Sequence, residues 1–394
     1  MKRSWFLLLL LALTVSVTAC IQLKPTKTPE SDSESSEADV SESDTETDTD
    51  TDVPVVSVPD WVDAYTNAAD FFADTENTVV DSTKREYSYE EMVSDLEILA
   101  ERYPNHFSYR SFGKSVAGRD LYVAVLGNPD AEHQIMVSAG LHGREYLTPL
   151  LVMKQMEFYL TFYENGECNG VSYSELFENC CFYMVPMSNP DGIMLSQAGI
   201  ESLADTALQE TVRAIYEDDF RKDYTSQTDI DEYLKFWKAN ANGVDLNRNF
   251  DSLWENYRAG EKEPCHKSYK GPAAASEPET RALAELTDSL ENIAAVICIH
   301  SQGEVLYWNC GQESLLSAAT RNFTEMVADR NGYDPINEQN NDASYSDWCA
   351  LERGLIAITV ETGKGTCPLF IDKFEAMWFD NFDLLPLSAL YFEH

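Results

Sequence analysis

Residues 134–145 read Gln-Ile-Met-Val-Ser-Ala-Gly-Leu-His-Gly-Arg-Glu, and this stretch decides the fold. Gln134 to Ala139 is an apolar run of strand length that stops at a glycine, the residue best suited to a sharp turn. His142 and Glu145 follow at once, and the apolar spacing from Thr148 to Tyr163 predicts a helix. Two later runs have the same form: Ile293 to Ile299 ends at His300, and Leu355 to Val360 ends at Glu361. Solid β-branched runs of this kind predict strands buried on both faces. Leu121 to Leu126 and Cys180 to Met187 add further strands, and Tyr89 to Arg102 carries Met92, Val93, Leu96 and Leu99 at helical spacing. The expected fold is a single α/β domain with a mixed, mostly parallel central sheet flanked by helices on both faces. Ser276 is expected to cap a helix with Glu279 as its reciprocal acid, and the polar stretch Gln197 to Asn240 to lie on the surface as an insertion.

In open α/β sheets, sites assemble just beyond the carboxyl ends of strands, so His142, Glu145, His300 and Glu361 are expected to converge. Two imidazoles and a carboxylate suit one zinc ion per chain and leave a position for water. Glu361 would stand close enough to take a proton from that water. A lone H-x-x-E spacing is common by chance, and His300 alone would read as a strand-end histidine bonded to backbone. In Gly243-Val244-Asp245-Leu246-Asn247-Arg248-Asn249-Phe250 an arginine stands beside an amide, a pairing suited to gripping a carboxylate; alone, Arg248 would read as a surface ion pair. His106, His133, His266 and His394 sit in polar surroundings and are expected to be solvated.

The 394 residues carry a formal charge of −40, which repels phosphates and argues against a nucleic-acid partner. Lys2 and Arg3 precede the apolar run Trp5 to Leu13, and Val17-Thr18-Ala19-Cys20 follows, so residues 1–19 read as a signal peptide. Cys20 at that exit resembles the lipidation site of bacterial lipoproteins; the alternative is an ordinary secretory signal with an incidental cysteine. The expected location is therefore the cell surface, exported and membrane-anchored. Residues 20–60 form a linker whose tract Glu30 to Asp52 has 11 acids and no bases, too few apolar groups to fold. Those acids are little more than a quarter of the formal charge, so the rest of the chain is acidic too. Residues 61–83 read as a transition segment packing on one main domain at 84–394, and 53–83 reads either as that packing segment or as a pro-segment. Apart from Cys20 there are eight cysteines, which either pair as disulfides or stand as buried thiols.

Taken together, HGRE at 142–145, NPDG at 189–192, GVDLNRNF at 243–250, YKGPAAASEPET at 269–280, IHS at 299–301 and TVETGKG at 359–365 resemble the zinc carboxypeptidases of the carboxypeptidase A family, in order, over about Tyr89 to Phe370. The resemblance implies that His142, Glu145 and His300 bind zinc and that Glu361 is the catalytic base and acid. It implies that Asn247 and Arg248 anchor the substrate's free C-terminal carboxylate and that Arg144 contacts residues further upstream. The animal enzymes carry an arginine after a tryptophan to polarise the scissile carbonyl; here Trp237 is followed by Lys238, which keeps the charge and loses the fork. Gln339 falls where those enzymes have a closing tyrosine, with Tyr345 nearby but out of register, and Ser346 falls near the floor of the terminal side-chain pocket. The run His300 to Glu304 with Leu306-Tyr307-Trp308 is similar to bacterial members that cut peptidoglycan stem peptides at a γ-D-glutamyl-diamino acid bond; exogenous peptides are the other expected substrate. The competing readings are a zinc deacylase of acyl amino acids and a non-catalytic binding protein on the same fold.

Overall fold

The computed structural model describes residues 60–308, 314–337 and 342–393. In chain order the strands are β1 (Phe107–Lys114), β2 (Asp120–Leu126), β3 (His133–Ala139), β4 (Glu167–Cys168), β5 (Val171–Ser172), β6 (Cys180–Val185), β7 (Ile293–His300), β8 (Val305–Trp308), β9 (Asp334–Asn337) and β10 (Ile356–Glu361). Except for the small β4–β5 pair, they form one eight-stranded sheet in the order β1-β2-β6-β3-β7-β10-β8-β9. The four inner strands, β6, β3, β7 and β10, run parallel. Antiparallel pairings add β2 and β1 on one side and β8 on the other, where β9 lies parallel to β8.

Alternation along each inner strand sends side chains to two cores. Ile135, Val137, Ile297, Ile299, Ile358 and Val360 pack beneath the helices Tyr89–Arg102, Leu147–Thr161 and Phe374–Asn381. Met136, Val296, Cys298 and Ala357 face the other way, onto Leu283 and Leu286 of the helix Pro278–Asp288 and Trp348 of the helix Tyr345–Glu352. The expected architecture is the observed one.

The helix Asp60–Ala73 lies on the first core. Phe71 meets Phe158 edge-on at 5.3 Å, and Trp378 Nε1 donates to the Ala68 carbonyl at 3.2 Å. Buried Glu157 accepts the Val80 N–H at 3.0 Å, and Lys154 Nζ donates to the Val80 carbonyl at 3.2 Å. This segment completes a core on the face of the sheet opposite the site described below.

Three expectations need correction. The helix at Pro278 has Glu277, not Ser276, at its N-cap, and no side chain caps it. Pro278 takes the first helical position, while Ser276 Oγ donates to Glu277 Oε1 at 2.7 Å. Glu279 turns inward, 2% exposed, to accept from Val116 N and Asn240 Nδ2. The stretch Gln197 to Asn240 is no mere surface insertion: Ile200, Val212, Ile215, Tyr233, Leu234 and Trp237 make a third core with Leu195 and Ala241. His266 is buried rather than solvated, its Nδ1 2.7 Å from Asp219 Oδ2. As for the cysteines, Cys168, Cys180, Cys181, Cys265, Cys298, Cys349 and Cys367 are all buried free thiols. Cys20, Cys310, Gln339 and the leader and linker lie outside the described residues.

Candidate metal centre

β7 and β10 pair in parallel with His300 opposite Glu361. Partners in a ladder present their side chains on the same face, and by alternation from Ile299 and Val360 that is the face of the second core. His300 and Glu361 are therefore neighbours because two strands end together.

The third strand end brings the other donors. β3 stops at Ala139, Gly140 turns with φ +64°, and residues 142–145 form a turn closed by Glu145 N–H to the His142 carbonyl at 3.1 Å. A side chain at position 143 would strike the carbonyl oxygens of Gly192 at 2.3 Å and Trp237 at 2.8 Å, so only glycine fits there. The first of these neighbours lies in the first turn of the helix Pro190–Ala198, which Asn189 caps by accepting the Gly192 N–H at 2.9 Å. The second leads into Lys238, whose carbonyl accepts the Gly143 N–H at 3.1 Å. The HGRE turn is thus clamped between the NPDG cap and the Lys238 backbone.

His142 Nδ1 lies 2.8 Å from Glu145 Oε1, His300 Nδ1 3.0 Å from Glu145 Oε2, and the two Nδ1 atoms 3.2 Å apart. All three side chains are buried. Two imidazole nitrogens turned toward each other and toward one carboxylate form an electron-rich pocket that a dication satisfies, and the donor set fits zinc. Burial opposes the charge on Glu145, yet the two imidazoles hold it well below the usual carboxylate range. The Nε2 atoms of both histidines are buried without a hydrogen bond, and Asp245 Oδ1 stands 3.3 Å from that of His142.

Asp245 had no role in the sequence reading. It caps the short turn Leu246–Arg248 by accepting the Asn247 N–H at 3.2 Å, and its other oxygen accepts the Ser268 N–H at 3.0 Å. Burial would raise its pKa, but His142, Lys238 and Arg248 keep it well below the usual range. A fixed carboxylate behind a ligating imidazole orients the ring and raises its basicity.

Glu361 is pushed up to about 7, by burial first and by the Glu145 charge next, against the opposing pull of His300, Lys238 and Arg248. The Asn247 amide oxygen accepts the Tyr345 N–H at 3.0 Å, which leaves its NH₂ to meet a ligand. The Arg248 guanidinium bonds the Tyr257 hydroxyl at 3.2 Å, the Asn247 carbonyl at 2.7 Å and Asp342 Oδ2 at 3.1 Å. Arg144 keeps a buried Nε without a hydrogen-bond partner, while its carbonyl accepts from Cys367 Sγ at 3.4 Å. Below Glu361 on the same strand face, Thr359 Oγ1 donates to Ser346 Oγ at 3.1 Å, which in turn lies 3.1 Å from Ser344 Oγ. Tyr345 is in the core with its hydroxyl 2.6 Å from Thr287 Oγ1, so it closes over nothing.

A second trio, Asp219, Cys265 and His266, also converges within 4.8 Å. Here Asp219 accepts from Tyr233, His266 and Cys265, and burial pushes the Cys265 thiol up to about 12. Its hydrogen bonds close on themselves, so the trio is a structural network. The His266 carbonyl accepts the Lys238 N–H at 2.9 Å, which ties this network to the HGRE clamp.

Residues 92–368 match the family described as zinc carboxypeptidase. The chain is similar to gamma-D-glutamyl-L-diamino acid endopeptidase 1 of Lysinibacillus sphaericus, 32% identical over 310 residues that span 78% of this chain and 73% of that protein. It is also similar to mast cell carboxypeptidase A of Rattus norvegicus, 28% identical over 57% of this chain and 47% of that protein. Among solved structures, carboxypeptidase A from Helicoverpa armigera superposes with a TM-score of 0.59 at 19% identity, covering 84% of this chain and 80% of that one, a likeness of fold.

Proposed function

The chain belongs to the zinc carboxypeptidase family, and on that premise we propose that it hydrolyses the last peptide bond of a peptide with a free C-terminal carboxylate. The observation that carries the reading is the pairing of His300 with Glu361 beside His142 and Glu145, within electrostatic reach of Arg248. Asn247 and Arg248 hold the terminal carboxylate, and that grip sets the scissile carbonyl over the metal ligands. His142, Glu145 and His300 would hold zinc, which would supply Lewis acidity at the scissile carbonyl and at a water. Glu361 takes a proton from the attacking water and returns it to the leaving amine. Lys238 contributes positive charge where the carbonyl oxygen becomes anionic, and Arg144 meets the upstream residues of the peptide.

For substrate, the reading is a peptidoglycan stem peptide cut between γ-D-glutamate and a diamino acid. It is supported by the similarity to the Lysinibacillus endopeptidase and by the buried hydroxyls of Ser344, Ser346 and Thr359 on the Glu361 face of the sheet. Exogenous peptides are the second reading. We further propose that Cys20 is lipidated and holds an exported enzyme at the cell surface; Cys20→Ser would then release the protein into the medium.

Mass analysis of products from free-ended peptides and from stem peptides, with and without a zinc chelator, tests the function. Loss of one terminal residue, or of a terminal diamino acid, is expected only without chelator. Glu361→Gln should retain zinc and lose about a hundred- to ten-thousandfold in turnover. Wild-type turnover in that variant, or equal cleavage of C-terminally amidated peptides, would overturn the reading, and release of acetate from acyl amino acids in place of peptide cleavage would replace it with the deacylase.

A further inference from the structure

Asp219 lies in the helix Thr206–Arg221, away from the metal ligands, and is 1% exposed. Four groups meet its carboxylate: the Tyr233 hydroxyl at 2.6 Å, the Cys265 thiol at 3.2 Å, and both the ring Nδ1 (2.7 Å) and the backbone N–H (3.3 Å) of His266. Residues 265 and 266 are therefore fixed in side chain and backbone at once. The same two residues hold the approach to the site. The Cys265 N–H donates to the Gly243 carbonyl at 3.1 Å, at the head of the GVDLNRNF stretch. The His266 carbonyl accepts two N–H groups, of Lys238 at 2.9 Å and of Ala239 at 3.1 Å.

From the other side the Lys238 carbonyl accepts the Gly143 N–H at 3.1 Å, and Asn189 Nδ2 donates to the Ala239 carbonyl at 3.1 Å. The 238–239 backbone is thus a short bridge, with the HGRE turn at one end and the Asp219 network at the other. Lysine is a point charge on a flexible stem, without the fork that fixes an arginine, so where its ammonium falls depends on how its backbone is held. That charge bears on both Asp245 and Glu361. We propose that Asp219 and His266 are positioning residues for the hydrolysis: through the 238–239 backbone they set Lys238 against the carbonyl oxygen, while touching neither substrate nor metal. This rests on the reading above that Lys238 meets the oxygen as it becomes anionic. A charge that acts there is felt in the transition state and not in substrate binding, so displacing it lowers kcat and leaves KM.

The test uses the zinc-loaded full chain, with a stem peptide and a free-ended peptide as substrates, assayed well below the Tm of every variant. Asp219→Ala should lose about ten- to a hundredfold in kcat with KM unchanged, the scale of a displacement of about 1 Å. Val212→Ala, which opens a cavity in the same core and takes no hydrogen bond from the network, should leave both constants as in the wild type. In a Lys238→Met background Asp219→Ala should cost almost nothing further, because both changes act on one charge. Asp219→Asn, which keeps an oxygen for Tyr233 and His266, should recover most of the rate. Tyr233→Phe, which removes one bond to Asp219 and keeps the ring, carries the test if Asp219→Ala does not fold: it should show the same split at smaller size, and a wild-type kcat would overturn the proposal. A kcat loss that Val212→Ala shares, a loss undiminished in Lys238→Met, or no recovery by Asp219→Asn overturns it as well, while the functional reading stands. A wild-type kcat in Lys238→Met alone removes the role of that lysine and this inference with it, and leaves the cleavage reaction in place. Cleavage of neither peptide by the wild type sinks both.

Discussion

Asp245 Oδ1 stands 3.3 Å behind His142 Nε2 while two backbone N–H groups hold Asp245, so a ring offered to a metal would be backed by a carboxylate that never touches the ion. Removing such a brace typically weakens metal affinity by about 10- to 100-fold. Asp245→Ala should do so in a competition titration against a chromogenic chelator; affinity equal to the wild type would mean that His142 is positioned by the turn alone. His142, Glu145, His300 and Glu361 were legible before any coordinates because each closes a strand or its following turn, and strand ends in such sheets meet. Asp245 was not, although it stands two residues before Asn247. Its partner is 103 positions away in the chain, and no local pattern encodes that meeting. His266 was misread for the same reason: a histidine among polar neighbours looks solvated until Asp219, on a different element, is brought against it.

The helix Pro278–Asp288 shows what an element can hide. Ser276 and Glu279 have the spacing of a capping box, yet packing against Val116 and Asn240 outbids the local motif. Burial pushes Glu279 up from 4.5 to about 8, with neighbouring Asp191 adding to the shift and the bonds from Val116 and Asn240 opposing it. The folded chain therefore keeps a proton that the unfolded chain releases once pH passes its ordinary value. The sign follows: this group's contribution is most favourable at or below about pH 4.5, declines as pH rises toward 8, and levels off above, at about 1.4 kcal/mol per pH unit at most. Glu279→Gln, which mimics the protonated form, should lose less Tm than the wild type between about pH 5 and about pH 8 in parallel melts. Identical pH profiles would place the proton elsewhere. By contrast, the helix Tyr89–Arg102 and the inner strands lay open to sequence reading, because their apolar periodicity and their burial agree.

Across the whole molecule, two of the seven described free cysteines lie in the first core and three in the second, with Cys265 and Cys367 buried outside them, and burial pushes Cys168, Cys181 and Cys367 up to about 12. Thiols held protonated and out of solvent behave as small apolar side chains. Of nine cysteines, the folded protein should thus offer no more than the two outside the described residues to a thiol reagent, and added reductant should leave its Tm unchanged. A reductant-dependent Tm would reveal a disulfide. The segment at 60–83 belongs to the same economy of burial: Phe71 fills the first core, so Phe71→Ala should cost about 3–5 kcal/mol in a denaturant melt without raising activity. An activated, equally stable variant would instead mark the segment as inhibitory.

His300 and Glu361 ride on the ends of two hydrogen-bonded strands, whereas Asn247, Arg248, Asp342 and Ser346 ride on a short turn, a loop and the first turn of a small helix. The groups proposed to cleave and the groups proposed to choose the substrate are consequently mounted on different elements, one set on the sheet and one set outside it. Divergence can therefore alter the exposed position 342 without moving either strand end, so a library at that residue is the place to look for altered substrate preference.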